Sequence, residues 1–167
     1  MKVSFAPLEP DAAAFLSAET GVDFTQINFD QDVWLCITSR DEETGMVALV
    51  IVVEFKADWD AHLSLAIRNP RAATRRLMKA GYKSVFAHAK RLTALIDVNN
   101  PVAHQKAIRM GFQYEGYVRL GIAGERDALL FGMLPYDCPW LDEWHQHRRQ
   151  SPIPFSAEAV PFGAPVH

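Results

Sequence analysis

Three groups of residues in this 167-residue chain have the types and spacing to do chemistry. The first is a pair of proton acceptors, Glu54 and His62. Glu54 follows the apolar run from Met46 to Val53, where a partly desolvated carboxylate could take up a proton, directly or through water. His62 has an imidazole, whose ordinary pKa of about 6.5 suits base work near neutrality. Glu54, Asp58 and Asp60 lie close by in sequence and tend to hold that ring protonated, which tips the preference for the base slightly to Glu54. Each also has a plain structural reading, a solvated strand end and a histidine packed at a sheet edge. The second group is Arg68, Arg71, Arg75 and Arg76, which could meet phosphates or simply form a solvated helix face. The third is Asn100-Pro101, where a strand feeds a helix. An asparagine there can cap the helix and still offer its amide to a ligand in the adjoining cleft.

Other constellations offer less. His145 and His147 near Glu143 lack convincing partners for a metal, and no metal is expected. Cys36 sits in an apolar strand and reads as core rather than nucleophile. Cys36 and Cys138 are two isolated thiols, too few for a disulfide framework or a four-cysteine zinc site, and they point to a reduced, cytoplasmic setting. Trp140 and Trp144, four apart, dock a last helix onto the body or meet a second copy in a homodimer.

The elements that must position these residues can be read from pattern. Hydrophobic residues make up 49% and charged residues 22% of the chain, the balance of one globular domain rather than a disordered one. No apolar run approaches bilayer length, and Glu9 and Asp11 come too early for a secretory leader. Strands are expected at 1–8, 32–39, 46–55, 61–67, 92–98, 114–120 and 128–134, and helices at 10–20, 71–89 and from Asn100 to a stop at Gly111. Residues 46–53, apolar on both faces, belong in the centre of a covered sheet. The order predicts an α/β (α+β) fold, a mixed and mostly antiparallel sheet of about seven strands with helices on both faces. The domain spans 1–150, with a core over 1–134 and a C-terminal helix over about 138–149. Residues 151–167, with four prolines, read as an extended tail.

Asn100-Pro101-Val102-Ala103, then Ala107, then Gly111-Phe112-Gln113-Tyr114-Glu115-Gly116 resembles the asparagine motif of the GNAT superfamily of acetyl-CoA-dependent N-acetyltransferases, with every spacing intact. The resemblance covers about residues 1–134 and implies a GNAT fold. A second family motif, the glycine-rich loop that holds the CoA pyrophosphate, falls on Arg68 to Ala73. There Arg71 replaces the central glycine and Pro70 removes an N–H donor, so Arg71 either crowds the pyrophosphate or grips it. The resemblance further implies that Leu65, Ala66 and Ile67 offer backbone hydrogen bonds to the pantetheine arm. It places Arg68, Arg71, Ala72, Ala73 and Thr74 around the pyrophosphate, and Asn100 in the cofactor site. Where the family often has a tyrosine to protonate the leaving thiolate, this chain has Ala107; Tyr114 and Tyr117 are the nearby substitutes, each with core packing as its plainer role.

The abbreviated acceptor region and the ending Asp127 to Leu134 are similar to small acetyltransferase-like proteins encoded by bacteriophages, which would place the chain in a host cytoplasm. The implied activity is transfer of an acetyl group from acetyl-CoA to a primary amine on a small molecule or protein. Loops around 20–32 and 121–127 would set the acceptor. The competing expectation is a binding protein on an inactive GNAT scaffold, favoured by the altered loop and Ala107. Charge is uneven, with 12 acidic and 3 basic residues over 1–66 against 8 and 14 over 67–167. An overall pI near 6.0 nonetheless weighs against a nucleic-acid partner.

Overall fold

The computed structural model describes residues 2–5, 7–27 and 34–141. They form strands β1 (Lys2–Phe5), β2 (Trp34–Arg40), β3 (Val47–Ala57), β4 (Asp60–Ile67), β5 (Arg91–Asp97), β6 (Gln113–Ile122) and β7 (Arg126–Met133). Helices α1 (Pro10–Thr20), α2 (Arg75–Phe86) and α3 (Pro101–Met110) are interleaved with them. One sheet runs in the order β1-β2-β3-β4-β5-β7-β6, with β1 a short edge strand. Every adjacent pair is antiparallel except β4 and β5. This is the expected mixed sheet.

Alternation along β3 and β4 divides the core into two layers. Val50, Val52 and Ala66 meet Ala12, Ala13 and Leu16 of α1 on one face. Leu49, Ile51 and Val53 meet Leu77, Met78 and Val85 of α2 on the other. The run from Val47 to Val53 is buried throughout, because helices cover both of its faces. Cys36 lies in the α1 layer, where burial pushes its thiol up to about 11, so it stays an unreactive packing group.

The long helix expected over 71–89 is shorter at both ends. Pro70 to Ala72 form a 3-10 turn, started by Asn69, whose side chain accepts from the Arg71 N–H at 3.0 Å. The α-helix begins only at Arg75, after Thr74 caps it by accepting from the Leu77 N–H at 3.3 Å. Two capping side chains in succession thus break the expected first turn away from the helix. The helix expected over 138–149 does not begin where predicted, because residues 138–141 are irregular chain and turn; its remainder, with Glu143, Trp144, His145 and His147, and the tail fall outside the described residues. Trp140 is described and packs against the α2-side core. Among the described residues no helix is long and apolar enough to cross a membrane.

Gly111 ends α3 at φ 103°. A Cβ there would stand 2.6 Å from the Asp137 carbonyl oxygen and 2.6 Å from Pro139 Cδ, whereas one on Gly45, at φ 69°, would meet nothing within 4 Å. Both sites carry the left-handed strain of about 1–2 kcal/mol for a side chain, but only Gly111 adds a clash. We predict that Gly111→Ala lowers unfolding stability by clearly more than Gly45→Ala in chemical denaturation. Equal losses would show that the turn after β7 does not pack on the end of α3.

Candidate active site

The site begins with a failure of pairing. β4 and β5 hold register for only three residue pairs, Asp60 with Arg91, Ala61 with Leu92 and His62 with Thr93. Beyond them β4 stays with β3 as far as Ile67, and β5 stays with β7 as far as Asp97. The two strands therefore part, and Leu63 to Ile67 face Ala94 to Asp97 across a cleft of about 520 Å³. Backbone groups on these inner edges have no strand partner, and in a cleft they call for a ligand or water that supplies one. The shape suits an extended, amide-bearing molecule laid between the strands.

Helix ends close the cleft. At one side α3 starts shortly after β5, and Asn100 caps it by accepting from the Ala103 N–H at 3.0 Å. Asn100, Ala103 and Ala107 all line the cleft. The cap uses the amide oxygen of Asn100, and its Nδ2 has no partner among the described residues, so the amide is free to donate to a ligand. Opposite, the C-terminal end of α1 contributes Glu19, Thr20 and Gly21. Arg126 bridges the two sides: its guanidinium donates to the Asp97 carboxylate and, at 3.1 Å, to the Gly21 carbonyl.

The residues singled out from the sequence divide by position. Leu65, Ala66, Ile67 and Asn100 line the cleft; Glu54, His62, Arg68 and Arg71 to Thr74 do not. Glu54 and His62 face each other across β3 and β4 at the closed end. Glu54 pairs with Lys56 at 2.5 Å. His62 occupies the last paired step of β4, with Nε2 3.3 Å from an Asp60 carboxylate oxygen. Thr93 donates to the other Asp60 oxygen at 2.8 Å, and Arg91 Nε donates to the Thr93 hydroxyl at 3.0 Å. The imidazole therefore stands at the apex of the splay with an oriented carboxylate behind it. Ser64, next along the same face of β4, is inside the cleft.

The loop before α2 is occupied with itself. The N–H groups of Arg71, Ala72, Ala73 and Thr74 donate respectively to the Asn69 side chain, the Asn69 carbonyl, the Pro70 carbonyl and the Ala72 carbonyl, at 2.9–3.2 Å. Ala72 is buried. Arg68 points away, donating at 3.1 Å to the Val47 carbonyl while its guanidinium covers the Phe15 ring of α1 at 4.4 Å. Neither tyrosine substitute reaches the cleft. Tyr114 packs edge-on against Phe131, and Tyr117 donates to Asp127 on the β6–β7 hairpin, a bond that holds the Asp127 carboxyl below its ordinary range.

Glu19, Ser64, Asp97, Asn99 and Lys106 are polar cleft residues that sequence reading passed over, while Thr20 and Arg126 fall in the loops expected to set the acceptor. Ser64 alone carried a local signal, as a polar position alternating with Leu63 and Leu65. The others are assembled by contacts across the chain, as Arg126 and Gly21 are, 105 positions apart.

No family model matches this chain, and no curated protein sequence matches it. Solved structures do. A GNAT-family acetyltransferase from Streptococcus pneumoniae superposes with a TM-score of 0.52 at 17% identity, over 80% of this chain and 98% of that one. A variant of the spermidine N-acetyltransferase of Vibrio cholerae does so with 0.57 at 12% identity, over 86% and 99%. The ribosomal-protein-S5-alanine acetyltransferase of Vibrio fischeri gives 0.51 at 14% identity, and there the chain spans 62% of the partner's length. The fold is that of the GNAT acetyltransferases. At these identities the likeness concerns architecture, and the chemistry rests on the cleft itself.

The position of Arg68 yields a prediction. A cation over an aromatic face at the surface is worth about 0.5–1 kcal/mol, so Arg68→Met should lower stability in chemical denaturation by about that much, as expected for a residue that fastens α1. Unchanged stability would show that the contact with Phe15 does not fasten α1.

Proposed function

We propose that this chain transfers the acyl group of a coenzyme A thioester, acetyl-CoA being the simplest, to a primary amine. The observation that carries the reading is the parting of β4 and β5, which leaves the backbone of Leu63 to Ile67 unpaired along a cleft capped by Asn100. The pantetheine arm is a chain of amides of matching reach, and it could add to β4 as a strand would. Two of the structural neighbours are named as acetyltransferases of spermidine and of a ribosomal protein's alanine, which supports an amine acceptor in kind.

In this reading the amine nitrogen attacks the thioester carbonyl at the apex, where β4 and β5 separate. A C–N bond forms and the C–S bond breaks. One proton leaves the nitrogen for His62, through a water at the closed end of the cleft, and the thiolate departs and takes a proton from solvent. Asp60 orients the imidazole, as a carboxylate does for a working histidine. His62 is preferred to Glu54 because it sits on the splayed strand itself, whereas Glu54 lies one strand further away and is engaged by Lys56. Ala107 supplies no acid. Since the N–H groups of 71–74 are internally paired, the CoA phosphates would rely on the side chains of Arg71, Arg75 and Arg76 and on the first N–H groups of α2.

Calorimetric titration of the chain with CoA and acetyl-CoA tests the first half of the proposal, with micromolar binding expected. Screening amines with acetyl-CoA then gives a rate against which to measure variants. His62→Gln should remove most of that rate and Glu54→Gln little, each with acetyl-CoA affinity nearly unchanged. The opposite order assigns the base to Glu54. Absence of binding at millimolar CoA leaves an inactive scaffold as the better description.

A further inference from the structure

Beneath α2 lies a second cavity, of about 20 Å³, that shares a wall with the cleft. Leu63, Leu65 and Met110 line both spaces. Beyond them nine further residues bound the small cavity, Ile37, Gly81, Tyr82 and Val85 among them. Its size exceeds the roughly 10–15 Å³ that admits a water, yet a wall of this kind offers water almost no hydrogen bonds, so the space suits carbon. Native cores leave few such voids.

Gly81 sharpens the point. A glycine in the middle of a helix weakens it, and neither a turn nor a positive φ requires this one. What its missing Cβ spares is space on the cavity side, where the added carbon would stand 3.3 Å from Ile37 Cδ1. Met110, at the partition, has an unbranched thioether chain that can move to widen the passage.

We infer that this cavity receives the tail of an acyl group longer than acetyl, of propionyl or butyryl size, entering between Met110 and the pair Leu63 and Leu65. The inference rests on the acyl-transfer reading and names its donor. With the thioester carbonyl at the β4 edge, the carbons beyond it turn towards the α2 face, where Leu63 and Leu65 project, and away from the face of His62 and Ser64. A chain of six carbons outruns the space.

The test is calorimetric titration of the full chain with CoA and with acetyl-, propionyl-, butyryl- and hexanoyl-CoA. Affinity should rise about three- to fourfold per carbon from acetyl to butyryl, then fall at hexanoyl. Val85→Ile, which adds a methyl group on the cavity side, should erase the gain for butyryl-CoA and leave acetyl-CoA within about twofold; Val85→Ala should move the optimum towards hexanoyl-CoA. Weaker binding of propionyl- than acetyl-CoA by the unaltered chain overturns the inference while leaving acyl transfer intact. So does an equal loss for every thioester in Val85→Ile when Val85→Ala leaves the optimum in place. Failure of CoA itself to bind removes both.

Discussion

The parting of β4 from β5 is the constraint on which the remaining structure depends. A parallel pair is joined only through a crossover, here the turn at 70–72 and α2, and nothing in that connection obliges the strands to stay together along their length. Each strand instead has a stronger commitment on its other side. β4 is paired with β3 from Asp60 to Ile67, and β5 with β7 from Leu92 to Asp97. Two antiparallel blocks are thus hinged at three residue pairs, and the right-handed twist that each block follows carries their free ends apart. The opening persists because helix ends occupy its margins. α3 starts at Pro101, a short connection after Asp97, and places Ala103 and Ala107 against the cleft, while the end of α1 is fastened from across it by Arg126.

Small side chains and caps then decide what the opening can hold. Ala66, Ala94, Ala103 and Ala107 line the cleft, so a ligand meets backbone rather than bulk on both sides. Asn100 satisfies the first turn of α3 with one end of its amide and keeps the other for use. The segment 69–74 does the reverse. Its N–H groups are consumed by its own turn and caps, so under the proposed function a phosphate at this end would have to be met by guanidinium groups rather than backbone. Such an exchange would give up fixed geometry and add formal charge, and affinity at this end would then depend more on salt than with a backbone cradle.

How far the sequence could be read follows from how local each feature is. The buried centre of β3 and the ends of α3, marked by Asn100-Pro101 and Gly111, depend on residues next to one another, and they stand where pattern places them. The start of α2 was misplaced because Pro70, Asn69 and Thr74 each suit a helix start, and pattern does not say which of three competing caps begins the continuous helix. The preference for His62 over Glu54 as the proposed base rests on the register of two strands and on the contact with Lys56, neither of which a linear pattern contains. The arrangement of Glu19, Asp97 and Arg126 belongs to the same class: each is unremarkable in its own segment and meets the others only after the sheet has formed.

β4 also explains why one strand can serve two chemically different neighbours. Asp60, His62 and Ser64 alternate with Ala61, Leu63 and Leu65, so a single period of two puts a hydrogen-bonding edge on the α1 face and a hydrocarbon edge on the α2 face. Within the closed part of the sheet this alternation only sorts polar from buried groups. Where β4 loses β5 as a neighbour, both faces become accessible to one molecule lying along the exposed backbone. A group held at that edge has polar side chains to one side and apolar side chains to the other. The polarity of the site is therefore a property of strand pleat and interrupted pairing together, and either one alone would leave a groove with no direction built into it.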